Sequence, residues 1–82
     1  MEIRNKVVVI TGAGNGIGRE LSIQCAQAGA RVALLDMSQE ALEQTADLAG
    51  RAQVSLHAVN ITDLKRVQEL PEEIIRALGQ ID

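Results

Sequence analysis

The sequence predicts an α/β fold of three parallel strands alternating with helices, in the order βαβαβα, on three observations. Short apolar runs recur between longer stretches of helical periodicity, which is the pattern of βαβ units. The first run, Val7-Val8-Val9-Ile10, is apolar without alternation, as expected of a strand covered on both faces. A glycine-rich segment, Thr11-Gly12-Ala13-Gly14-Asn15-Gly16-Ile17-Gly18, follows it directly.

Val7–Thr11 reads as the first strand, Arg31–Asp36 as the second and Val54–Val59 as the third. The first is expected to be central, or an exposed apolar edge should no further strand pair with it. Such an edge is a template for self-association. Helix A is expected from Gly16 to Ala28, burying a stripe of Ile17, Leu21, Cys25 and Ala28 and stopping at Gly29. Helix B is expected after Ser38 as N-cap, with Glu40 in its first turn, with Leu42, Thr45, Ala46 and Ala49 facing the sheet and Gly50 at its end. A third helix, capped by Thr62, carries Leu64, Val67, Leu70, Ile74 and Leu78, but Pro71 interrupts it. The reading adopted is a break and a restart, with Pro71 at a first helical position and Glu72 and Glu73 favouring the helix dipole. Gly79 closes that segment.

Composition narrows the function. At 82 residues the chain is one small unit, and without Phe, Tyr or Trp its core rests on Val, Ile, Leu and Ala. A net charge of −3 argues against a nucleic-acid partner, because phosphate binding by charge needs a basic face. Cys25 is the only cysteine, so no internal disulfide forms, and its helical position suits a small packed hydrophobe. No apolar run has signal-peptide or membrane-span length, so the expectation is a cytoplasmic protein with no membrane partner. His57, the only histidine, lacks companions at metal-ligand spacing and is expected on a strand face. No metal site is expected.

The glycine segment carries the chemistry. It is not a triphosphatase phosphate loop, which needs Lys and then Ser or Thr after the last glycine, where Arg19 and Glu20 stand. Nor does it fit G-x-G-x-x-G, since Ile17 occupies the third glycine position. What remains is Thr11-Gly12-x-x-x-Gly16-x-Gly18. Gly12 permits a tight exit from the strand, Gly16 lets backbone approach a pyrophosphate, and Gly18 lets helix A sit close to the sheet. The N–H of Ile17 and the positive end of the helix then meet the phosphates. The bland alternative is a tight strand-to-helix connection with no ligand.

Asp36 lies eighteen residues beyond Gly18, near the roughly 20-residue spacing at which an acidic side chain meets the adenosine ribose. A carboxylate there accepts from both ribose hydroxyls and repels a 2′-phosphate, which favours NAD over NADP. Otherwise Asp36 only punctuates the turn before helix B.

The Thr-Gly-x-x-x-Gly-Ile-Gly spacing after a first strand resembles the short-chain dehydrogenase/reductase family. The likeness extends through Asp36, the Asn60-Ile61-Thr62-Asp63 segment, and Gly79-Gln80-Ile81-Asp82 leading toward the family's fourth strand. The resemblance implies a partial Rossmann fold, truncated before that strand, with residues 1–82 as the amino-terminal half of an NAD-binding domain. It implies cofactor contacts from Gly12, Asn15, Gly16, Ile17, Gly18, Asp36, Met37, Asn60 and Ile61. NADP users of the family often carry a basic residue where Asn15 or Met37 stands here. Asn60 replaces the family's usual aspartate at the adenine amino group; its amide oxygen can still accept, or it can cap toward Thr62. Asp63 is expected to serve the first turn of the third helix, and Arg19 to lie at the surface or on the phosphate side.

The family's activity is hydride transfer between nicotinamide and an alcohol or carbonyl, using a Ser, a Tyr and a Lys. The chain has no tyrosine, and its only lysines are Lys6 and Lys65, so no catalytic residue is assigned. Two readings follow. Either the chain is the NAD-binding portion of such an oxidoreductase, or it is a free-standing, non-catalytic module that binds an adenine nucleotide or pairs with another chain.

Overall fold

The computed structural model describes residues 3–79. Strands β1 (Val7–Thr11), β2 (Arg31–Asp36) and β3 (Val54–Ala58) form one parallel sheet in the order β1-β2-β3. Helices α1 (Gly16–Gln27), α2 (Gln39–Ala49) and α3 (Leu64–Leu78) alternate with the strands, and a 3-10 turn at Arg51–Gln53 precedes β3. This is the βαβαβα order expected of a Rossmann amino-terminal part. Gln80, Ile81 and Asp82, read as leading toward a fourth strand, lie outside the described residues.

Among the described strands β2 is the central one, and β1 is an edge, as it must be unless another strand joins it. The burial follows: Val32, Ala33, Leu34 and Leu35 are all buried, whereas Val9 of β1 is exposed. One face of the sheet packs Ile10, Val32 and Leu34 against Ala26 of α1 and Leu42 and Ala46 of α2. The other packs Val7, Ala33 and Leu35 against Leu70 and Ile74 of α3.

Helix α1 departs from its expected orientation. Ile17, Leu21 and Ala28 are exposed and Cys25 is half-buried, while Ser22 and Ala26 are the buried residues. The inward stripe is Gly18, Ser22 and Ala26, one position later than the expected Ile17, Leu21, Cys25 line. The cause is the approach at Gly18, where a Cβ would run into the Gly12 carbonyl oxygen. A helix that close to the loop has room only for small side chains, so the bulky ones turn outward. The Ser22 hydroxyl, wholly buried, donates to the Gly18 carbonyl at 2.7 Å and so is satisfied within its own helix.

Helix α3 also differs from the expectation, because it runs unbroken through Pro71 and its N-cap is Asp63, not Thr62. Asp63 accepts from the N–H of Arg66 at 3.2 Å. Pro71 is exposed and offers no N–H to the Val67 carbonyl, so the helix forgoes one intrahelical bond there. The buried Leu70 and Ile74 hold the helix to the sheet on either side of the proline in sequence. Arg66 and Glu73 span the same point with a two-pronged pair at 3.0 and 3.2 Å. Glu73 therefore does not serve as a dipole partner at a new helix start.

His57 is buried on the α3 face of β3, beneath Glu73. Its Nδ1–H donates to the Glu73 carboxylate, which can only accept, and its Nε2 lies 2.6 Å from Ser55 Oγ. The Arg66 guanidinium first, and His57 second, hold the Glu73 carboxyl below the usual carboxylate range.

Candidate nucleotide cleft

The three strands end on the same side, and their carboxyl ends open a cleft of about 400 Å³ lined by Thr11, Gly12, Leu35, Asp36, Met37, Val59 and Ile61. Ligands of open α/β sheets bind at this end of the strands. Gly12 (φ +65°) turns the chain out of β1, and Gly16 (φ +53°) turns it into α1. Both conformations favour glycine. A Cβ at Gly16 would meet nothing within 4 Å, so this stretch of backbone is bare toward open space.

The helix starts differ in a way that bears on ligand binding. The Ser38 hydroxyl caps α2 by accepting from the N–H of Ala41 at 3.1 Å, and Asp63 caps α3. Asn15, at the start of α1, makes no side-chain capping bond, and α1 has no acidic residue in its first turn. The first N–H groups of any helix lack intrahelical partners. At α1 those of Gly16, Ile17 and Gly18 are left with the positive end of the dipole for an anion.

Asp36 sits across the loop at the end of β2 with both carboxylate oxygens already held. Oδ2 accepts from the N–H of Gly14 and Oδ1 from that of Ser38, each at 3.0 Å. Each oxygen keeps a second lone pair for a ligand hydroxyl. Met37 and Ile61, 71% and 61% exposed, give the cleft an apolar rim of the kind a flat ring can lie against. Asn60 is at the surface; its Oδ1 accepts from the N–H and the hydroxyl of Thr62, at 2.9 and 2.7 Å. Asn15 and Ile17 are exposed at the mouth of α1, outside the residues that line the cleft. Among the described residues no group of three His, Cys, Asp or Glu side chains is placed to hold a metal ion.

Three residues that position the site were not singled out by spacing. Gly14 is seated so closely that a Cβ would lie 2.6 Å from the Ala41 Cβ and 2.9 Å from Asp36 Oδ2. Thr45, fully buried in α2, donates to the Ala13 carbonyl at 2.8 Å. Arg19 turns away from the phosphate side and toward α2, with its Nε on Thr45 Oγ1 at 2.9 Å and its Nη2 on the Gly14 carbonyl at 2.5 Å. The available signal was a hydroxyl on an otherwise apolar helix face, which must find a partner when buried.

Residues 6–82 match the family model described as short chain dehydrogenase. The chain is 35% identical over 82 residues to meso-2,3-butanediol dehydrogenase of Serratia marcescens, covering all of this chain and 33% of that protein. Among solved structures, NAD+-bound xylitol dehydrogenase superposes with a TM-score of 0.92 at 30% identity, over 100% of this chain and 32% of that one. Carveol dehydrogenase from Mycobacterium avium in complex with NAD gives 0.89 at 25% identity, over 99% and 34%. The chain thus spans about a third of the length of the proteins it matches. No helix among the described residues is long and apolar enough to cross a membrane. With this match, the glycine loop and the strand-end cleft, the chain belongs to the short chain dehydrogenase family.

Proposed function

We propose that residues 1–82 form the amino-terminal half of the NAD-binding domain of a cytoplasmic oxidoreductase, which moves hydride between nicotinamide and an alcohol or carbonyl substrate. The observation that carries this reading is the pairing of an uncapped α1 with a carboxylate fixed across the same loop. Gly12, Asn15, Gly16, Ile17 and Gly18 would face the pyrophosphate with backbone N–H groups. Asp36 would accept the adenosine ribose hydroxyls, and Met37, Asn60 and Ile61 would border the adenine. Bound NAD would supply the hydride acceptor; these residues bind and orient it and perform no proton transfer. NAD is favoured over NADP because a 2′-phosphate would meet the Asp36 carboxylate, with Asn15 and Met37 offering no positive charge.

Calorimetric titration with NAD, NADP and ATP tests the reading. NAD should bind best, and Asp36→Ala and Gly16→Val should each abolish the preference. NADP binding as tight as NAD would overturn the role given to Asp36.

A second reading, a non-catalytic module that pairs with another copy, is favoured by one feature, the β1 edge with Val9 40% exposed. Sedimentation of the wild type and Val9→Lys tests it: a dimer that the lysine dissociates supports pairing, and a monomer in both rejects it.

A further inference from the structure

The glycine loop is held by more than its glycines, and the partners come from three separate elements. The N–H of Ala13 donates to the Leu35 carbonyl at 3.0 Å. The next peptide unit is pinned at both ends: its carbonyl, on Ala13, accepts from the Thr45 hydroxyl at 2.8 Å, and its N–H, on Gly14, donates to Asp36 Oδ2 at 3.0 Å. The peptide unit after it is pinned at its carbonyl, on Gly14, by Arg19 Nη2 at 2.5 Å. The same nitrogen reaches the Gln44 Oε1 at 3.2 Å and the Ala41 carbonyl at 3.4 Å. Arg19 Nε donates to Thr45 Oγ1 at 2.9 Å, so the threonine hydroxyl relays the arginine to the Ala13 carbonyl. A planar trans peptide sends its C=O and N–H in opposite directions. With the Gly14 carbonyl drawn toward α2, the N–H of Asn15 is turned away from α2.

We propose that Arg19 and Thr45 act as a positioning pair for the nucleotide loop, fixing successive peptide planes so that its amides are oriented before a dinucleotide arrives. The inference rests on the NAD-binding reading above. Neither side chain needs to touch the ligand. A segment with glycine at 12, 14 and 16 has wide backbone freedom when unbound, and ordering it on binding would weaken affinity. Pinning the planes in advance removes that loss. The arginine fork suits the task because Nε and Nη2 serve two acceptors at once; a lysine ammonium cannot hold both in that planar arrangement.

The test uses the protein as its gene encodes it, with Arg19→Ala, Arg19→Lys, Thr45→Val, Thr45→Ser and the Arg19→Ala/Thr45→Val double variant. Three quantities are measured: NAD affinity by calorimetry, thermal midpoint, and amide hydrogen exchange without ligand. Arg19→Ala and Thr45→Val should each weaken NAD by about tenfold or more, the loss expected when a charge-assisted or buried hydrogen bond goes. Thr45→Ser should stay near wild type, and Arg19→Lys should fall between. The double variant should lose less than the product of the two single losses, since the pair acts as a unit. Exchange at Gly14 should quicken in both damaging variants while the amides of Val32 to Leu35 keep their protection. Arg19→Ala binding NAD as tightly as a binding wild type would overturn this inference alone. So would a loss of affinity that appears only with lost protection in β2, which marks a general stabilising role. A wild type that binds no NAD would overturn the NAD-binding reading and this inference with it.

Discussion

The N–H of Gly14 donates to Oδ2 of Asp36 at 3.0 Å, so the glycine loop and the end of the second strand fix each other's position. The carboxylate that would read the ribose is therefore part of the loop's own scaffold. Gly14→Ala places a Cβ 2.6 Å from the Ala41 Cβ and 2.9 Å from that same oxygen. Overpacking of this kind costs about 1–3 kcal/mol. The expected outcome is a lower thermal midpoint together with weaker NAD binding, read by calorimetry. A stable variant with unchanged affinity would contradict the coupling.

The neighbouring glycines should separate stability from binding. At Gly18 the added Cβ meets backbone, the Gly12 carbonyl, which cannot swing aside as a side chain can. Gly18→Ala should therefore lose the fold, seen as the loss of a cooperative denaturant transition. At Gly16 nothing lies within 4 Å, and only the positive φ of +53° opposes a side chain. That conformation costs an L-residue roughly 1–2 kcal/mol. Gly16→Ala should fold with that modest loss, while its methyl group stands where a pyrophosphate would approach and NAD affinity falls by more than the stability change implies.

The strands were legible because a strand covered on both faces must be a short apolar run, and Val32-Ala33-Leu34-Leu35 is one. The buried side of α1 lies one position from the hydrophobic stripe because hydrophobicity favours Ile17 and Leu21, whereas the close approach at Gly18 selects small residues. Periodicity gives the spacing of a face; which of two adjacent faces is buried depends on how near the helix axis comes to its neighbour. The local rule makes Pro71 a helix break, and the apolar contacts of Leu70 and Ile74 override that rule. Spacing alone pointed to Gly12, Gly16, Gly18 and Asp36. Thr45 and Arg19 are opaque because they meet each other across 26 residues and Thr45 meets the Ala13 carbonyl across 32, and only folding brings them together.

Glu73 gives a pH dependence whose sign is fixed by its neighbours. Its carboxyl is held below the usual carboxylate range, chiefly by hydrogen bonds from Arg66 and then from His57. A group with a depressed folded-state pKa stabilises the fold fully above its unfolded value, and that contribution fades as the pH drops through the folded value. Stability should thus be insensitive to this group above about pH 5.5 and decline below about pH 4.5. Glu73→Gln keeps an acceptor for His57 but cannot titrate, so it should flatten the acid side of a plot of denaturant midpoint against pH from 3 to 7. An unchanged acid slope would assign the decline to other carboxylates.

Pro71 offers a stabilising change. It occupies an exposed position inside α3, where it supplies no N–H for the Val67 carbonyl. Proline in a helix interior is about 3 kcal/mol less favourable than alanine, partly offset by the roughly 0.4–1 kcal/mol that its rigidity takes from the unfolded chain. Pro71→Ala restores the donor and adds no contact with the sheet, because Leu70 and Ile74 already hold the buried side. A net gain of about 2 kcal/mol or slightly more should raise the thermal midpoint by roughly 8 °C or more for a chain of this size. A fall in the midpoint would show that the chain needs the proline's local geometry to bring Glu73 over His57 and Arg66, and the His57 ring signals in an NMR spectrum would then shift with it.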